Sequence, residues 1–503
     1  MKKTILEFIL CRKKKIFQWQ LQFQRVIMNI QKHFVSFGLI RIQMKDEILN
    51  KKLRSIINQL KKFQDLHQCQ DFIHKTSPKD RLILIVSGKL GREILPKIYH
   101  LRQVISIYIY CMDKQANELW SSKYSKVKSV VISREKLVSI IAEDHRIEKK
   151  TEEPLAINIF SVGGSSTSGL NGKFVFYQVL IDCLLRLKST DEDKNELIQL
   201  LKQQYNSNRF ELEHIKDFES KYRSNEALQW YTKECFFYKT LNSILRTENI
   251  HWMFLYRSFT LDLQEQLKKY QSKEIIEVYR AQIISKEELE NLKKSIDQFI
   301  SINSFFSTTS SYSKALSFFN QSKPTEHTEK ILFQIEADPD IVKTKPFANI
   351  SRFSAYPDEE EVLFMIGSIF RLRKISFDSK QQFWIILMTL SSDDDNQLKK
   401  VLTHMKQQIG EGPTNLRILA NVLWDMGKLD LAGKYFEQFL EQIPSNDPIR
   451  GELYELLAKI ASQSNNFDKS MEWRQKFIEF NEKNSTASSS CSKPGSKGWF
   501  EIF

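Results

Sequence analysis

The sequence lacks the motifs of several large enzyme and membrane classes. Among its 503 residues, no uncharged apolar run reaches the roughly 18 residues of a transmembrane helix, so no membrane span is predicted. It contains neither a His-Glu-x-x-His nor a paired Cys-x-x-Cys motif, and no metal site is predicted. The segment nearest to a Gly-x-Gly-x-x-Gly fingerprint, Ser87–Arg92 (SGKLGR), has a different spacing. Zinc hydrolases and oxidoreductases with that fingerprint are therefore not predicted.

Cysteine is scarce and scattered. The six cysteines stand at positions 11, 69, 111, 183, 235 and 491, without the spacing of a disulfide framework. This distribution is typical of reduced thiols, so we expect a cytoplasmic protein.

The net charge of +14 comes mostly from the N-terminus. Residues 1–60 carry 13 Lys and Arg against 3 Asp and Glu, a net +10, which leaves +4 for the rest of the chain. A broad nucleic-acid-binding surface is therefore not expected on the folded domains. The basic segment 1–45 fits a mitochondrial presequence, an arm that touches membrane or RNA, or an extended reading frame; its low serine content disfavours the presequence.

An acidic run within Tyr356–Phe364 (YPDEEEVLF) leads from a proline-containing turn into apolar, strand-like residues. In an extended strand, Glu359 and Glu361 would lie on one face and Glu360 on the other. Two like charges held close are unfavourable unless a cationic group lies between them, so such a pair can stabilise a developing positive charge. For an isolated Glu run, a solvated turn is the simpler interpretation.

Two upstream segments favour a functional interpretation. Glu277–Gln282 (EVYRAQ) predicts a short strand that carries Arg280, and Asn303–Ser310 (NSFFSTTS) predicts a strand with two aromatic residues followed by four hydroxyl residues. Each segment alone fits an ordinary strand. Their order is the specific signal, because Ser307 follows Arg280 by 27 residues and Glu361 follows Ser307 by 54.

In this order the motifs resemble the Arg-Ser-Glu class of mono-ADP-ribosyltransferases, which includes ecto-enzymes and arginine-modifying toxins. Arg280 stands at the arginine of that class, Ser307-Thr308-Thr309 at its Ser-Thr-Ser motif, and Glu359 and Glu361 at its Glu-x-Glu motif. The third residue of the middle motif is Thr instead of Ser. The resemblance covers about residues 170–390 and includes flanking matches at Ala227, Tyr231, Thr232, Tyr238, Asn242, Arg246, Phe347–Ser351, Phe353 and Ser354.

The resemblance implies that NAD is consumed as a substrate, and no metal cofactor is expected. Cleavage of the bond between nicotinamide and ribose builds an oxocarbenium-like charge, as in glycoside hydrolysis. Glu361 is expected to stabilise that charge, and Arg280 to bind the phosphates of NAD through paired hydrogen bonds. Ser307 is expected to brace this clamp and the nicotinamide ribose. The other expected NAD-binding residues are Thr308, Thr309 and Phe353.

The resemblance also implies an acceptor. Glu359 is expected to orient a guanidinium group and to help remove its proton. In this class, Glu at this place goes with arginine acceptors, whereas Gln goes with asparagine or cysteine. The implied reaction is transfer of ADP-ribose to a protein arginine with release of nicotinamide. Two alternatives stay open: NAD hydrolysis at the same site, and an inactive scaffold that binds peptides.

The expected fold class is a multidomain α+β protein. Segment 46–160 predicts a small parallel α/β module that begins with a helix over Asp46–Leu66, and the Ser/Gly-rich segment 161–172 predicts a linker. The resemblance places an ADP-ribosyltransferase domain over 173–390, with N-terminal helices and a core of two packed sheets.

The C-terminal part predicts helices of the tetratricopeptide type over 396–482. The matching residues are Leu416, Ala420, Gly427, Leu429, Ala432, Phe436 and Pro444, with a weaker copy about 38 residues further on. Such repeats hold peptides, so a peptide partner is expected in addition to a protein acceptor. The tail 483–503 is rich in Ser, Lys and Gly and is predicted to be disordered.

Overall fold

The structure is a computed structural model. It describes residues 37–42, 47–56, 59–76, 81–151, 155–161, 169–206, 208–233, 235–321, 324, 328–342, 344–354 and 357–489. The described residues divide into two compact units, one within 1–164 and 190–395, the other within 165–189 and 396–503. The predictions for the basic segment lie outside the described residues apart from 37–42, and those for the tail lie outside from 490 onwards.

The first unit begins with a parallel α/β module. Its elements are β1 (Phe37–Ile42), α1 (Glu47–Ile56), β2 (Gln59–Phe63), α2 (Leu66–Lys75), β3 (Arg81–Val86), α3 (Gly88–Ile98), β4 (Val104–Tyr110), α4 (Lys114–Ser121), β5 (Val127–Val131) and α5 (Arg134–Thr151). The five strands pair in parallel in the order β2-β1-β3-β4-β5. Every residue of β3 is buried, since Leu82 and Leu84 pack in one apolar cluster while Ile83 and Ile85 pack in another. The unbroken apolar run thus reflects a strand covered on both faces.

The predicted helix over Asp46–Leu66 is wrong in its second half. The helix α1 ends at Ile56, and Gln59–Phe63 forms the edge strand β2 beside β1. Leu60 and Phe63, three residues apart, would share a face in a helix. In the strand they pack against different apolar clusters, one on each side of the sheet. Strand pairing therefore overrides the helical spacing.

Some elements depart from the predicted domain boundaries. The strand β1 lies within the predicted basic segment 1–45 yet pairs with β2 and β3 of the α/β module. The strand β6 (Ile157–Phe160), expected in the α/β module, pairs with a strand of the larger sheet. The helix α6 (Gly169–Arg186) starts inside the predicted linker and belongs to the second unit.

Helices precede strands in the rest of the first unit, as predicted. The helices are α7 (Asp191–Gln204), α8 (Arg209–Lys221), α9 (Ala227–Thr232), α10 (Phe236–Arg246), α11 (Ile250–Leu255) and α12 (Arg257–Lys269). They are followed by β7 (Ile276–Ser285), α13 (Lys286–Lys293), β8 (Phe299–Ile302), β9 (Phe306–Thr309), α14 (Tyr312–Gln321), β10 (Thr328–Ala337), β11 (Phe347–Asn349), β12 (Glu361–Phe364), β13 (Ser368–Asp378) and β14 (Phe383–Ser391).

The strands from β6 onward form one hydrogen-bonded ladder in the order β11-β12-β9-β7-β10-β14-β13-β8-β6. The strands β9 and β7 are joined at a single residue pair, Tyr279 opposite Thr309, which divides the ladder into parts of three and six strands. The two parts share an apolar core: the ring of Phe306 lies 6.0 Å from that of Phe333 and 5.9 Å from that of Phe370. The predicted fold class is thereby confirmed, with the two sheets as parts of one ladder.

The second unit is helical. Its helices after α6 are α15 (Asn396–Ile409), α16 (Leu416–Asp425), α17 (Leu429–Gln442), α18 (Ile449–Gln463) and α19 (Phe467–Ser489). The Thr414 hydroxyl donates to the carbonyl of Cys183 over 2.7 Å, and the Arg186 guanidinium donates to the carbonyls of Gly410 and Gly412 over 2.6 and 2.7 Å. These bonds tie α6 to the loop between α15 and α16. The helix α19 continues to Ser489, beyond the predicted start of the tail.

Candidate active site

Strand order brings the three predicted motifs together. The strand β9 lies between β7 and β12, so residues far apart in sequence become neighbours. In the register, Thr309 lies opposite both Tyr279 and Glu361, and Ser307 lies opposite Leu363. Ser307 and Glu361 are therefore diagonal neighbours on one face. The opposite face of these strands carries Phe306 and Val362 into the core.

Ser307 connects the other two motifs. Its hydroxyl donates a hydrogen bond to the Glu361 carboxylate. Its backbone carbonyl accepts a hydrogen bond of 2.8 Å from Nη1 of Arg280. All three residues are half-buried, so each retains part of its surface exposed to solvent. The structure thus joins the predicted Arg, Ser and Glu in one continuous cluster.

The Arg280 guanidinium is oriented by two residues that the sequence analysis missed. Its Nε donates to Oε1 of Gln282 over 3.0 Å, and Gln282 is completely buried. Its Cζ lies 5.4 Å from the centre of the Phe306 ring. A signal for Gln282 was present, because residues i and i+2 of a strand share a face. Held in this way, the guanidinium has a fixed plane, which suits paired hydrogen bonds to a phosphate.

The two threonines of the middle motif bond to backbone. The Thr308 hydroxyl donates to the carbonyl of Val362 over 2.9 Å, and the Thr309 hydroxyl donates to the carbonyl of Glu359 over 2.8 Å. Both threonines are buried. Their hydroxyls therefore fix β12 and the turn before it against β9. NAD binding by these two residues stays a prediction.

The predicted strand alternation through the three glutamates is wrong. Residues Pro357–Glu359 form a turn of 3-10 helix, Glu360 has a φ of 49°, and only Glu361 belongs to β12. Glu360 nevertheless points to its own partners: its carboxylate lies 2.7 Å from Nζ of Lys314 and accepts from Ser310 Oγ over 3.2 Å. The hydrogen bond from Lys314 lowers the pKa of Glu360 below its usual value. A left-handed residue, rather than a strand, separates Glu359 from Glu361.

Phe353 lies in a neighbouring loop. It ends a short 3-10 helix, Ser351–Phe353, and its ring centre is 4.9 Å from that of Tyr270. The guanidinium of Arg352 lies 4.0 Å from the Tyr270 ring and 4.7 Å from the Phe353 ring. The hydroxyl of Thr232 donates to the carbonyl of Phe353 over 2.8 Å. Contact of Phe353 with NAD stays a prediction.

In the described part of the chain, no three His, Cys, Asp or Glu side chains are grouped as a metal site would require. The helices of this described part include none with the length and apolar character that a membrane crossing demands.

Comparison with known proteins finds a family match for the segment that contains most of the larger sheet. Residues 207–403 match the model of the ADP-ribosyltransferase exoenzyme family, which confirms the resemblance drawn from the motifs. The matched family consists of transferases that use NAD as their substrate. Residues 418–446 match the tetratricopeptide repeat model, as predicted for the C-terminal helices. The chain thus contains a segment, 207–403, that matches the ADP-ribosyltransferase exoenzyme family model, followed by a segment that matches the tetratricopeptide repeat model.

Solved structures match part of the chain. The C3 exoenzyme of Clostridium limosum is 17% identical, covers 35% of this chain and 90% of its own, and has a TM-score of 0.27. The Vis toxin of Vibrio splendidus is 18% identical, with 42% and 90% covered and a TM-score of 0.27. HopU1 of Pseudomonas syringae pv. tomato is 16% identical, with 40% and 98% covered and a TM-score of 0.28. No protein with curated function matches the chain.

Proposed function

We propose that this protein is a protein-arginine mono-ADP-ribosyltransferase. It transfers ADP-ribose from NAD to an arginine side chain and releases nicotinamide. The observation that carries the proposal is the cluster of Arg280, Ser307 and Glu361, in which one serine bonds the arginine through its carbonyl and the glutamate through its hydroxyl. A phosphate-binding cation and a carboxylate for a sugar cation are thereby held beside each other.

Each residue of the cluster has one role in NAD cleavage. Arg280 binds the phosphates, since its guanidinium is held in one plane by Gln282 and Ser307. Ser307 holds the Glu361 carboxylate toward the nicotinamide ribose. As the bond between nicotinamide and ribose breaks, its electron pair leaves with nicotinamide, and Glu361 stabilises the positive charge on the sugar. A preorganised group of this kind contributes about 3 kcal/mol or more to the barrier reduction.

Glu359 acts on the acceptor. It binds the guanidinium of the target arginine and takes up its proton as the guanidine nitrogen forms a bond to the ribose carbon. The side chain is half-buried, and its backbone is anchored by the hydroxyl of Thr309. A carboxylate suits this role because it pairs with a guanidinium and can accept a proton. Thr308, Thr309 and Phe353 complete the proposed NAD site.

The C-terminal helices supply the proposed partner contact. We assign to the repeat at 418–446 the binding of a peptide, either from the acceptor protein or from a protein that recruits it. The cysteines Cys69, Cys111 and Cys183 are free thiols, which fits the proposed cytoplasmic location.

The test is incubation of the full-length protein with labelled NAD and agmatine, a free guanidine. Parallel reactions replace agmatine with asparagine or cysteine derivatives. Labelled ADP-ribosyl-agmatine, without product from the other acceptors, is the expected result. Free ADP-ribose alone would instead favour NAD hydrolysis at this site. Absence of NAD turnover would favour a peptide-binding scaffold.

A further inference from the structure

The backbone between the two proposed functional glutamates is held in an uncommon conformation. Glu360 has a φ of 49°, in the left-handed region that residues with a Cβ rarely adopt. Such a conformation persists only where surrounding contacts fix it. The contacts of Glu360 therefore indicate which residues hold the turn in this conformation.

Backbone bonds fix both sides of this residue. The amide of Glu360 donates to the carbonyl of Pro357, and its carbonyl accepts from the amide of Ser310, each over 3.2 Å. One residue earlier, the carbonyl of Glu359 accepts from the hydroxyl of Thr309. These bonds tie the turn to the end of β9.

The Glu360 side chain is held by the next helix. Lys314, on the first turn of α14, donates to the Glu360 carboxylate over 2.7 Å, and the hydroxyl of Ser310 donates to the same carboxylate over 3.2 Å. The φ angle of Glu360 sets the direction in which the chain passes from the turn at Pro357–Glu359 into β12. A contact that holds the Glu360 side chain therefore also sets where Glu359 lies relative to Glu361.

We propose that Lys314 is a positioning residue of the transferase: by holding Glu360, it sets the separation of Glu359 and Glu361 and thereby the efficiency of transfer to a guanidine relative to NAD hydrolysis. The inference rests on the proposed function, since it assigns the acceptor step to Glu359. Hydrolysis depends on Glu361, which is fixed independently by β12 and Ser307. Loss of the Lys314 contact therefore affects transfer more than hydrolysis.

The chain offers a matched control. The pair Lys202–Glu219 has the same length, 2.7 Å, and side-chain exposures of 40% and 45%, against 34% and 46% for Lys314–Glu360. It joins α7 to α8 and includes no proposed site residue. Exposed pairs contribute little to stability, so neither Lys314→Met nor Lys202→Met should unfold the protein. Thermal unfolding of both variants checks this point.

The experiment measures ADP-ribosyl-agmatine formation and NAD hydrolysis for wild type, Lys314→Met, Lys314→Arg and Lys202→Met. In Lys314→Met, kcat/KM for agmatine is expected to fall about tenfold, as for a misplaced reacting group, and by a larger factor than hydrolysis does. Lys314→Arg keeps a donor to Glu360 and should recover most of the transfer. The double variant Lys314→Glu with Glu360→Lys, which restores the ion pair in reverse, should recover part of it.

The outcomes separate the two claims. Equal ratios of transfer to hydrolysis in Lys314→Met, Lys202→Met and wild type would overturn the positioning role of Lys314. The proposed arginine acceptor would be unaffected by that result. A Lys314→Arg variant as impaired as Lys314→Met would overturn it as well. A wild-type protein without agmatine transfer would overturn the proposed arginine acceptor, and this inference with it.

Discussion

The Ser307 hydroxyl donates a hydrogen bond to the Glu361 carboxylate from a diagonal position on the adjacent strand. The same serine accepts from Arg280 through its carbonyl, so the positions of all three side chains depend on the backbone of β9. This relationship explains why a strand of four residues, β9, can organise a site whose members are 27 and 54 residues apart.

The hydrogen bond itself is tested by Ser307→Ala. The variant keeps the carbonyl that binds Arg280 but leaves Glu361 without this donor, and hydrogen bonds to charged groups contribute more than neutral ones. We expect kcat for nicotinamide release to fall about 10- to 100-fold. Ser307→Thr retains a hydroxyl and should retain more activity. Equal activity of Ser307→Ala and wild type would show that the bond has no role in catalysis.

NAD binding is tested by Arg280→Lys. Lysine keeps the charge but cannot make paired hydrogen bonds in one plane, so KM for NAD should rise about tenfold or more. Arg371→Lys provides the control, because the Arg371 guanidinium also lies 5.4 Å from a ring centre, that of Phe299, and is not part of the proposed site. A similar rise in KM for NAD in both variants would indicate a general effect on the sheet rather than the loss of a phosphate contact.

The division of labour between the two glutamates is tested by Glu359→Gln. The amide can still bind an acceptor but cannot take up a proton, so transfer to agmatine should fall about 100-fold while NAD cleavage continues. Product analysis by chromatography separates ADP-ribosyl-agmatine from free ADP-ribose. If both products decline by the same factor, Glu359 acts on NAD and not on the acceptor.

The pH dependence of stability is tested at Asp262, which accepts a hydrogen bond of 2.6 Å from the hydroxyl of Tyr222. Burial raises the pKa of Asp262 above its ordinary value of 3.8, although Tyr222 and Lys194 act in the opposite direction. The charged form is therefore disfavoured in the folded state, and this penalty develops as pH rises above 3.8 through the folded-state pKa. Asp262→Asn should raise the Tm at pH 7, with the gain disappearing below pH 3.8.

The exposed carboxylate of Asp217 provides a control, because its pKa is shifted in the direction opposite to that of Asp262. The hydrogen bond from Lys221 lowers the pKa of Asp217 below 3.8, so Asp217 contributes stability above that pH and loses it as pH falls through the folded-state pKa. Asp217→Asn should therefore lower the Tm slightly at pH 7. Thermal unfolding across the pH range measures both variants. A Tm of Asp262→Asn below that of wild type at pH 7 would contradict the assigned direction.

The site was predictable where residue type and order carry the signal. Arg280, Ser307 and Glu361 meet because β9, the strand of Ser307, lies between the strands of the other two, and the order of the motifs along the chain indicated the class. Gln282 could have been added from its spacing of two residues to Arg280. Lys314 could not, since it lies 46 residues from Glu360 and only the packing of α14 brings them together.

The errors in the fold arose where tertiary contacts override local patterns. Glu359 and Glu361 were expected to alternate in a strand, but the left-handed φ of Glu360 interrupts the strand at that point. The helix expected over Asp46–Leu66 is shortened because Gln59–Phe63 pairs with β1. The transferase domain was expected to begin at residue 173, yet α6 bonds to the loop before α16 through Arg186. Neither β1, the partner of Gln59–Phe63, nor the loop bonded by Arg186 is adjacent in sequence to the segment that it contacts.

The most direct measurement compares wild type and Glu361→Gln for nicotinamide release and ADP-ribosyl-agmatine formation from labelled NAD. The substitution keeps the size of a half-buried side chain, so circular dichroism and Tm should be unchanged. The account predicts agmatine modification by wild type and a loss of both products of about 100-fold or more in Glu361→Gln. Unchanged nicotinamide release in the folded variant would contradict the account.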